Sequence, residues 1–260
     1  MLVKELLNTI DSVVPFSWAE EWDNSGLIAG DPEAPVKGIA ICLDPDIQAL
    51  EFTAGKECSV LVSHHPLIFS PLKRIDVSSG IGETIAFALK HNISVISMHT
   101  NWDSSPKGVN AAIASGLGLE SVQPLVPSCS ESWGLGAVGT LPSAPKGQEL
   151  GKSIRAALKL SRVDFFGDPL RPIRKLALCG GSGGSFWTEA KDSGADAFFT
   201  SDVKYHERLE ALRSGLCLFT ADHGEVESFS LEALALVVSG ASGIEPSIFR
   251  KHSRAPLFFD

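Results

Sequence analysis

Four of the seven histidines in this 260-residue chain fall into three short groups, and two of the groups also hold a carboxylate. His64 and His65 are adjacent and run into Pro66. His99 is followed four residues later by Asp103, and His223 four residues later by Glu227. An i, i+4 spacing puts both side chains on one face wherever the backbone is helical. Imidazoles with carboxylates make a mixed nitrogen and oxygen donor set, which suits zinc, iron, manganese, cobalt or nickel. Six donors exceed what one tetrahedral ion takes, so two divalent ions per chain is the economical reading. A carboxylate such as Asp103 can bridge two ions, and a water held there would lose a proton readily. No Cys-x-x-Cys pair competes for the metal.

Any one of these histidines, taken singly, is more often a surface or hydrogen-bonded core residue than a ligand. What sets the three groups apart is that each closes a strand-like run. Val60-Leu61-Val62 leads into Ser63-His64-His65, Ile93 to Met98 leads into His99, and residues 216–220 lead into Asp222-His223. His91 follows a helical stretch and reads as a cap or surface residue; His252, in a polar tail, reads as solvated.

The elements that must position these groups alternate. Apolar residues at Leu2, Leu6, Leu7, Ile10 and Val13 predict an opening helix over 2–14. Strands are expected at 39–43, 59–62 and 93–98, with helices through 49–54 and over 82–91. Asp23-Asn24-Ser25-Gly26 is a turn signal, and the flanking Trp18 and Trp22 read as core or interface anchors. Residues 120–132, with Pro124 and Pro127, read as a domain junction. A second series follows: strands at 135–141, 163–166, 176–179, 197–200 and 216–220, and helices over 148–159, after Ser185, and over 204–213. A tail helix is expected over roughly 225–238. Such alternation predicts α/β architecture with parallel strands, in which functional loops gather at the carboxyl ends of strands. The glycine-rich run Gly180 to Gly184 reads as a tight turn, or as a phosphate cradle at a helix start.

The bulk numbers narrow the function classes. A net charge of −9 provides no basic footprint for a phosphate backbone, which argues against nucleic acid as a partner. No apolar run approaches the ~20 residues of a membrane span. The five scattered cysteines read as free thiols, and with no apolar signal core at the N-terminus a cytoplasmic location is expected.

Six blocks in series resemble the Nif3 family, the Nif3-like dinuclear metal centre proteins often labelled GTP cyclohydrolase 1 type 2 homologues. They are Trp22 to Leu27, Ser63 to Phe69, His99 to Asp103, Cys179 to Gly183, Ser201 to His206, and His223 with Glu227. The resemblance implies two interlocked α/β domains with mixed, mostly parallel sheets and flanking helices. The division expected is 1–125 plus 221–260 for a metal-binding domain and 126–220 for a second. It also implies metal ligands at His64, His65, His99, Asp103, His223 and Glu227, and a toroidal homohexamer. Three positions depart from the family pattern, since Asp222 and Ser201 stand where glycine is usual and Val226 where a hydroxyl residue is usual; Asp222 or Glu225 is expected to add charge beside the metals. A metal-dependent hydrolase with a small-molecule or nucleotide substrate follows, opening a purine ring or cleaving a phosphoester with metal-activated water, and His206 and Glu225 are candidates to move protons. The alternative is a non-catalytic metal-binding or regulatory oligomer.

Overall fold

The computed structural model describes residues 1–78, 80–128 and 132–250. His252 and Cys129, both read from the sequence, lie outside the described residues. The chain forms two compact units, the first from residues 1–102 with 231–250, the second from 103–230. The boundaries therefore fall after Trp102 and Ser230, whereas the junctions expected from sequence lie at 125/126 and 220/221. At the first boundary Glu120–Gln123 pairs antiparallel with Ala137–Thr140 and so joins the second sheet; at the second, helix Leu231–Ser242 packs on Val3–Val13 and Ile39–Cys42 of the first unit.

The first unit is built on a five-stranded sheet. In spatial order the strands are Gly26–Ala29, Ser94–Ser97, Val60–Ser63, Ile39–Cys42 and Ser247–Ile248. All neighbours are parallel except Gly26–Ala29, which runs antiparallel to Ser94–Ser97. The three central strands are buried at every position, as expected where helices cover both faces. Ala40, Cys42, Leu61 and Val95 pack with Leu50 and Ala49 of helix Ile47–Gly55 and with Ile85 and Ala88 of helix Gly80–Lys90. Helix Leu231–Ser242 packs on strand Ile39–Cys42 and on helix Val3–Val13, whose Val3, Leu6 and Ile10 are fully buried. Register matters for function here: Cys42 pairs with Ser63 and Ser63 with Ser97, so three adjacent parallel strands end level with one another.

The second unit holds a mixed six-stranded sheet in the order Glu120–Gln123, Ala137–Thr140, Lys175–Leu178, Ala197–Thr200, Cys217–Thr220 and Asp164–Phe166. Parallel pairing between neighbours is confined to Lys175–Leu178, Ala197–Thr200 and Cys217–Thr220. Phe198, Leu218, Ala177 and Ala211 anchor its core. Thr200 pairs with Thr220, so these two strands also end level.

Three local expectations differ from the structure. The 120–132 stretch is not simply a junction, since it contributes strands Glu120–Gln123 and Val126–Pro127. The tail helix divides into His223–Ser228 and Leu231–Ser242, with Ser230 bonding back to the Glu227 carbonyl at the break. The turn Asp23 to Gly26 opens directly into strand Gly26–Ala29, a short apolar run whose four residues are only half-buried.

Candidate metal centre

In the first unit His64 and His65 leave strand Val60–Ser63, and His99 stands two residues beyond the level end of the neighbouring strand Ser94–Ser97. That geometry brings the three imidazoles together. Ring centroids are 5.0 Å apart for His64 and His65, 5.3 Å for His64 and His99, and 5.7 Å for His65 and His99. One ring nitrogen from each lies within 4.8 Å of the other two.

Each ring is oriented by an oxygen on its other side. His64 Nδ1 donates to the Met98 carbonyl at 2.9 Å, His65 Nδ1 to Asp44 Oδ1 at 2.8 Å, and His99 Nδ1 to Asp23 Oδ1 at 2.7 Å. A proton held on Nδ1 puts the lone pair on Nε2 in all three, the tautomer a metal ligand requires. Asp23 is the most committed of these acceptors. Its side chain is fully buried, and its second oxygen accepts from the Thr100 amide at 3.0 Å, the Thr100 hydroxyl at 2.6 Å and the Ser25 hydroxyl at 2.9 Å. Burial alone would push this carboxyl up; the hydrogen bonds from His99 and Thr100 outweigh it and hold the group well below the usual carboxylate range.

The second unit repeats the device. Asp202 lies two residues beyond strand Ala197–Thr200 and accepts from His223 Nδ1 at 2.7 Å, while His223 follows the neighbouring parallel strand Cys217–Thr220. Helix His223–Ser228 sets His223 and Glu227 on one face, with Nε2 and Oε2 3.0 Å apart. The Glu227 carboxylate is the main reason His223 is raised to about 9; burial opposes it and Asp202 assists. Burial also pushes Asp202 up, but His223 and Ser182 bring it below its ordinary value. Asp103 ends the single turn Thr100–Asp103 that follows His99, and one of its carboxylate oxygens lies within 4.8 Å of one from Glu227. Burial, together with the charges of Asp103 and Glu227, drives the Cys179 thiol far up. Two carboxylates this close repel unless a proton or cation lies near them. The donor chemistry therefore fits divalent ions in both units: neutral imidazole nitrogens in one, a carboxylate pair with an imidazole in the other.

Two of the departures from the expected pattern have local explanations. Asp222 is the N-cap of helix His223–Ser228, its Oδ1 accepting from the Glu225 amide at 3.0 Å, so its carboxylate serves the helix end rather than adding bare charge. Ser201 has no positive φ, so this turn does not require glycine. Glu225 is also committed, accepting from the Ser161 amide at 2.7 Å, and His206 is an exposed residue stacked edge-on against Tyr205. Among the described residues neither joins a cluster of three metal-donor side chains.

The glycine loop is a packing device. Gly181 has φ +67, and a Cβ there would sit 2.2 Å from Glu227 Oε1. The loop thus presents acidic Glu227 and Asp202 rather than a cradle for an anion. His91 is exposed and stacks on Phe87 at 4.1 Å. Trp22 is 60% exposed and so is not a core anchor.

Sequence reading missed the orienting aspartates Asp23, Asp44 and Asp202. A signal was present, because a ligating histidine needs an acceptor for its second nitrogen, and each aspartate lies at a strand exit or turn beside one.

A family model described as Duf34/NIF3 (NGG1p interacting factor 3) matches residues 1–250. The chain belongs to the DUF34/NIF3 family. It is 30% identical over 241 residues to a Clostridium acetobutylicum protein named GTP cyclohydrolase 1 type 2 homolog, covering 92% of this chain and 90% of the relative. A Streptomyces coelicolor protein of the same name is 32% identical, covering 86% of this chain and 81% of the relative. Among solved structures, a Bacillus cereus protein related to NIF3 superposes with a TM-score of 0.94 at 20% identity, over 100% of this chain and 99% of the other. A Staphylococcus aureus hypothetical protein gives 0.91 at 27% identity, again over 100% and 99%. The fold, two α/β units each built on a mixed sheet, is thus that of NIF3-family proteins.

Proposed function

We propose that this DUF34/NIF3 protein is a metal-dependent hydrolase that holds two divalent ions on His64, His65, His99, Asp103, His223 and Glu227 and acts on a nucleotide-like substrate. The observation that carries the reading is the orientation of three imidazoles by three separate oxygen acceptors, so that their Nε2 lone pairs converge. A single core histidine also takes an acceptor, but three imidazoles fixed this way with ring nitrogens within 4.8 Å of one another form the arrangement a ligand trio requires. The relatives' shared name, GTP cyclohydrolase 1 type 2 homolog, supports a nucleotide ring or phosphoester as the target.

When bound, the ions supply Lewis-acid polarisation of the scissile group and a more acidic water. The chain supplies the rest. Asp23, Asp44 and Asp202 keep the ligand histidines in the required tautomer, and Gly181 gives Glu227 room for its carboxylate. The same reading takes the chain as a toroidal homohexamer. Among the described residues four cysteines are free and buried, which supports a reducing, cytoplasmic setting. No described helix is long and apolar enough to cross a membrane.

One observation favours the non-catalytic alternative: neither proton-moving candidate, His206 or Glu225, is placed to serve. Elemental analysis of protein purified without chelator, followed by turnover with GTP and a phosphodiester panel, separates the readings. About two ions per chain are expected from six donors, with turnover lost in His64→Ala. Zero or one ion refutes the two-ion reading. Bound metal without turnover of any substrate refutes the hydrolase.

A further inference from the structure

Three large aromatic side chains are exposed among the described residues, Trp22, Phe69 and Tyr205, and two of them meet at the histidine trio. Trp22 is 60% and Phe69 57% exposed. Their ring centroids are 5.7 Å apart, and each lies 6.1 Å from the His99 ring, edge-on to it at 78° and 76°. The three rings make a nearly equilateral corner. An indole left this open to water forgoes the burial that normally stabilises it, and general exposure of this kind belongs to flexible surface. This corner is not flexible surface. Asp23, the neighbour of Trp22, is locked beneath His99 and Thr100, and Asn24 Nδ2 donates to the Ile68 carbonyl at 2.6 Å, next to Phe69. Two separate loops are thus tied together so as to present two aromatic faces beside a ligand histidine.

We infer that Trp22 and Phe69 form a stacking platform that holds a planar heteroaromatic ring of the substrate beside the His64, His65 and His99 trio. This rests on the hydrolase reading for its location, but not for its physics. Any base has a π-face, so an aromatic pair gives affinity for the ring while leaving its edge groups unread. Edge-on packing against His99 holds the platform at a fixed angle to the ligand cluster, so a ring stacked on it stays within reach of the trio. Trp22 and Phe69 are therefore positioning residues that select for a ring over an aliphatic or sugar-only substrate.

The test uses the full-length protein, zinc-loaded and chelator-treated, titrated with guanosine and with ribose 5-phosphate by equilibrium dialysis and tryptophan fluorescence. Base–aromatic stacking of about 1–3 kcal/mol converts to a roughly 5- to 150-fold weakening of guanosine binding in Trp22→Ala and Phe69→Ala. Trp22→Phe should recover most of it, ribose 5-phosphate should be indifferent to all three changes, and bound zinc should not fall. Absent guanosine binding by the wild-type protein overturns the platform, as does equal binding by Trp22→Ala. Unchanged guanosine binding with a lowered oligomer mass in Trp22→Ala would also overturn it and assign the pair to an interface between copies. Guanosine binding that depends on Trp22 can persist without turnover, so the platform and the hydrolase fail separately.

Discussion

Replacing Asp23 by Asn keeps the shape of the side chain and removes one acceptor, which makes it a sharp probe of the histidine trio. The wild-type carboxylate accepts from five donors: His99 Nδ1 and the Asn24 amide on Oδ1, and the Thr100 amide, the Thr100 hydroxyl and the Ser25 hydroxyl on Oδ2. An amide has one oxygen for them. If that oxygen faces His99, the new NH2 meets the Thr100 amide donor in a buried setting, at a cost of about 1–3 kcal/mol. If it faces Thr100, the three donors there stay satisfied and the NH2 meets His99 Nδ1 and the Asn24 amide instead. The second arrangement keeps three of the five donors, but His99 must then accept at Nδ1 and carry its proton on Nε2. Stability should fall by about 1–2 kcal/mol as charge-assisted bonds become neutral ones. Zinc affinity should fall about 10- to 100-fold, the usual effect of losing an outer-shell partner. Chemical denaturation, zinc competition against a chromophoric chelator, and long-range proton–nitrogen NMR of His99 read the three effects. Zinc affinity within about twofold of wild type, with the Nδ1–H tautomer retained, would refute the reasoning.

Substitutions at three further positions test the second unit. Gly181→Ala forces a side chain into a φ of +67 against Glu227 Oε1 and should lower stability by about 1–3 kcal/mol; a loss below about 0.5 kcal/mol in urea denaturation would mean the loop simply shifts. Asp222→Ala removes the cap of helix His223–Ser228 and should cost about 0.5–2 kcal/mol, while Asp222→Gly should cost only a few tenths. Equal losses in the two variants would argue that Asp222 acts otherwise than as a cap. Ser201, only 8% exposed, has a hydroxyl without a hydrogen-bond partner among the described residues. Ser201→Ala should therefore hold or raise the melting temperature, and a clear fall would reveal a partner for that hydroxyl.

The contrast between Asp222 and Gly at one position shows why part of the site was legible in the sequence. Both residue types cap a helix, so the spacing of His223 to Glu227 survives the exchange, and spacing is what sequence preserves. The same holds for strand Ala197–Thr200, read at its full extent because both faces are buried and every residue fits a pleated core. Strand Glu120–Gln123 was hidden for the opposite reason: all four residues are exposed, Val122 is its one apolar side chain, and no alternation marks it. The helix break at Phe229 and Ser230 was hidden because apolar spacing runs through it, and only the back-bonding of Ser230 ends the first helix. Asp23, Asp44 and Asp202 were hidden because in one dimension an orienting aspartate looks like any other; only the pairing of neighbouring strands shows which histidine each one serves.

The interruption of the first unit between Trp102 and Leu231 has a consequence during synthesis. Four of its five strands are made early, but helix Leu231–Ser242 and strand Ser247–Ile248, which pack on Ile39–Cys42, are made last. At translation rates of about 5–20 residues per second, the intervening segment delays that closure by roughly 10 seconds. Throughout that interval the edge of Ile39–Cys42 lacks the strand that later pairs with it, in a nascent chain tethered at the ribosome. The six-stranded sheet of the second unit, by contrast, has all its strands once Thr220 has emerged. The sheet encoded second is therefore fully synthesised before the first receives its edge strand Ser247–Ile248, although the histidine trio and its three acceptors are all made within the first 102 residues.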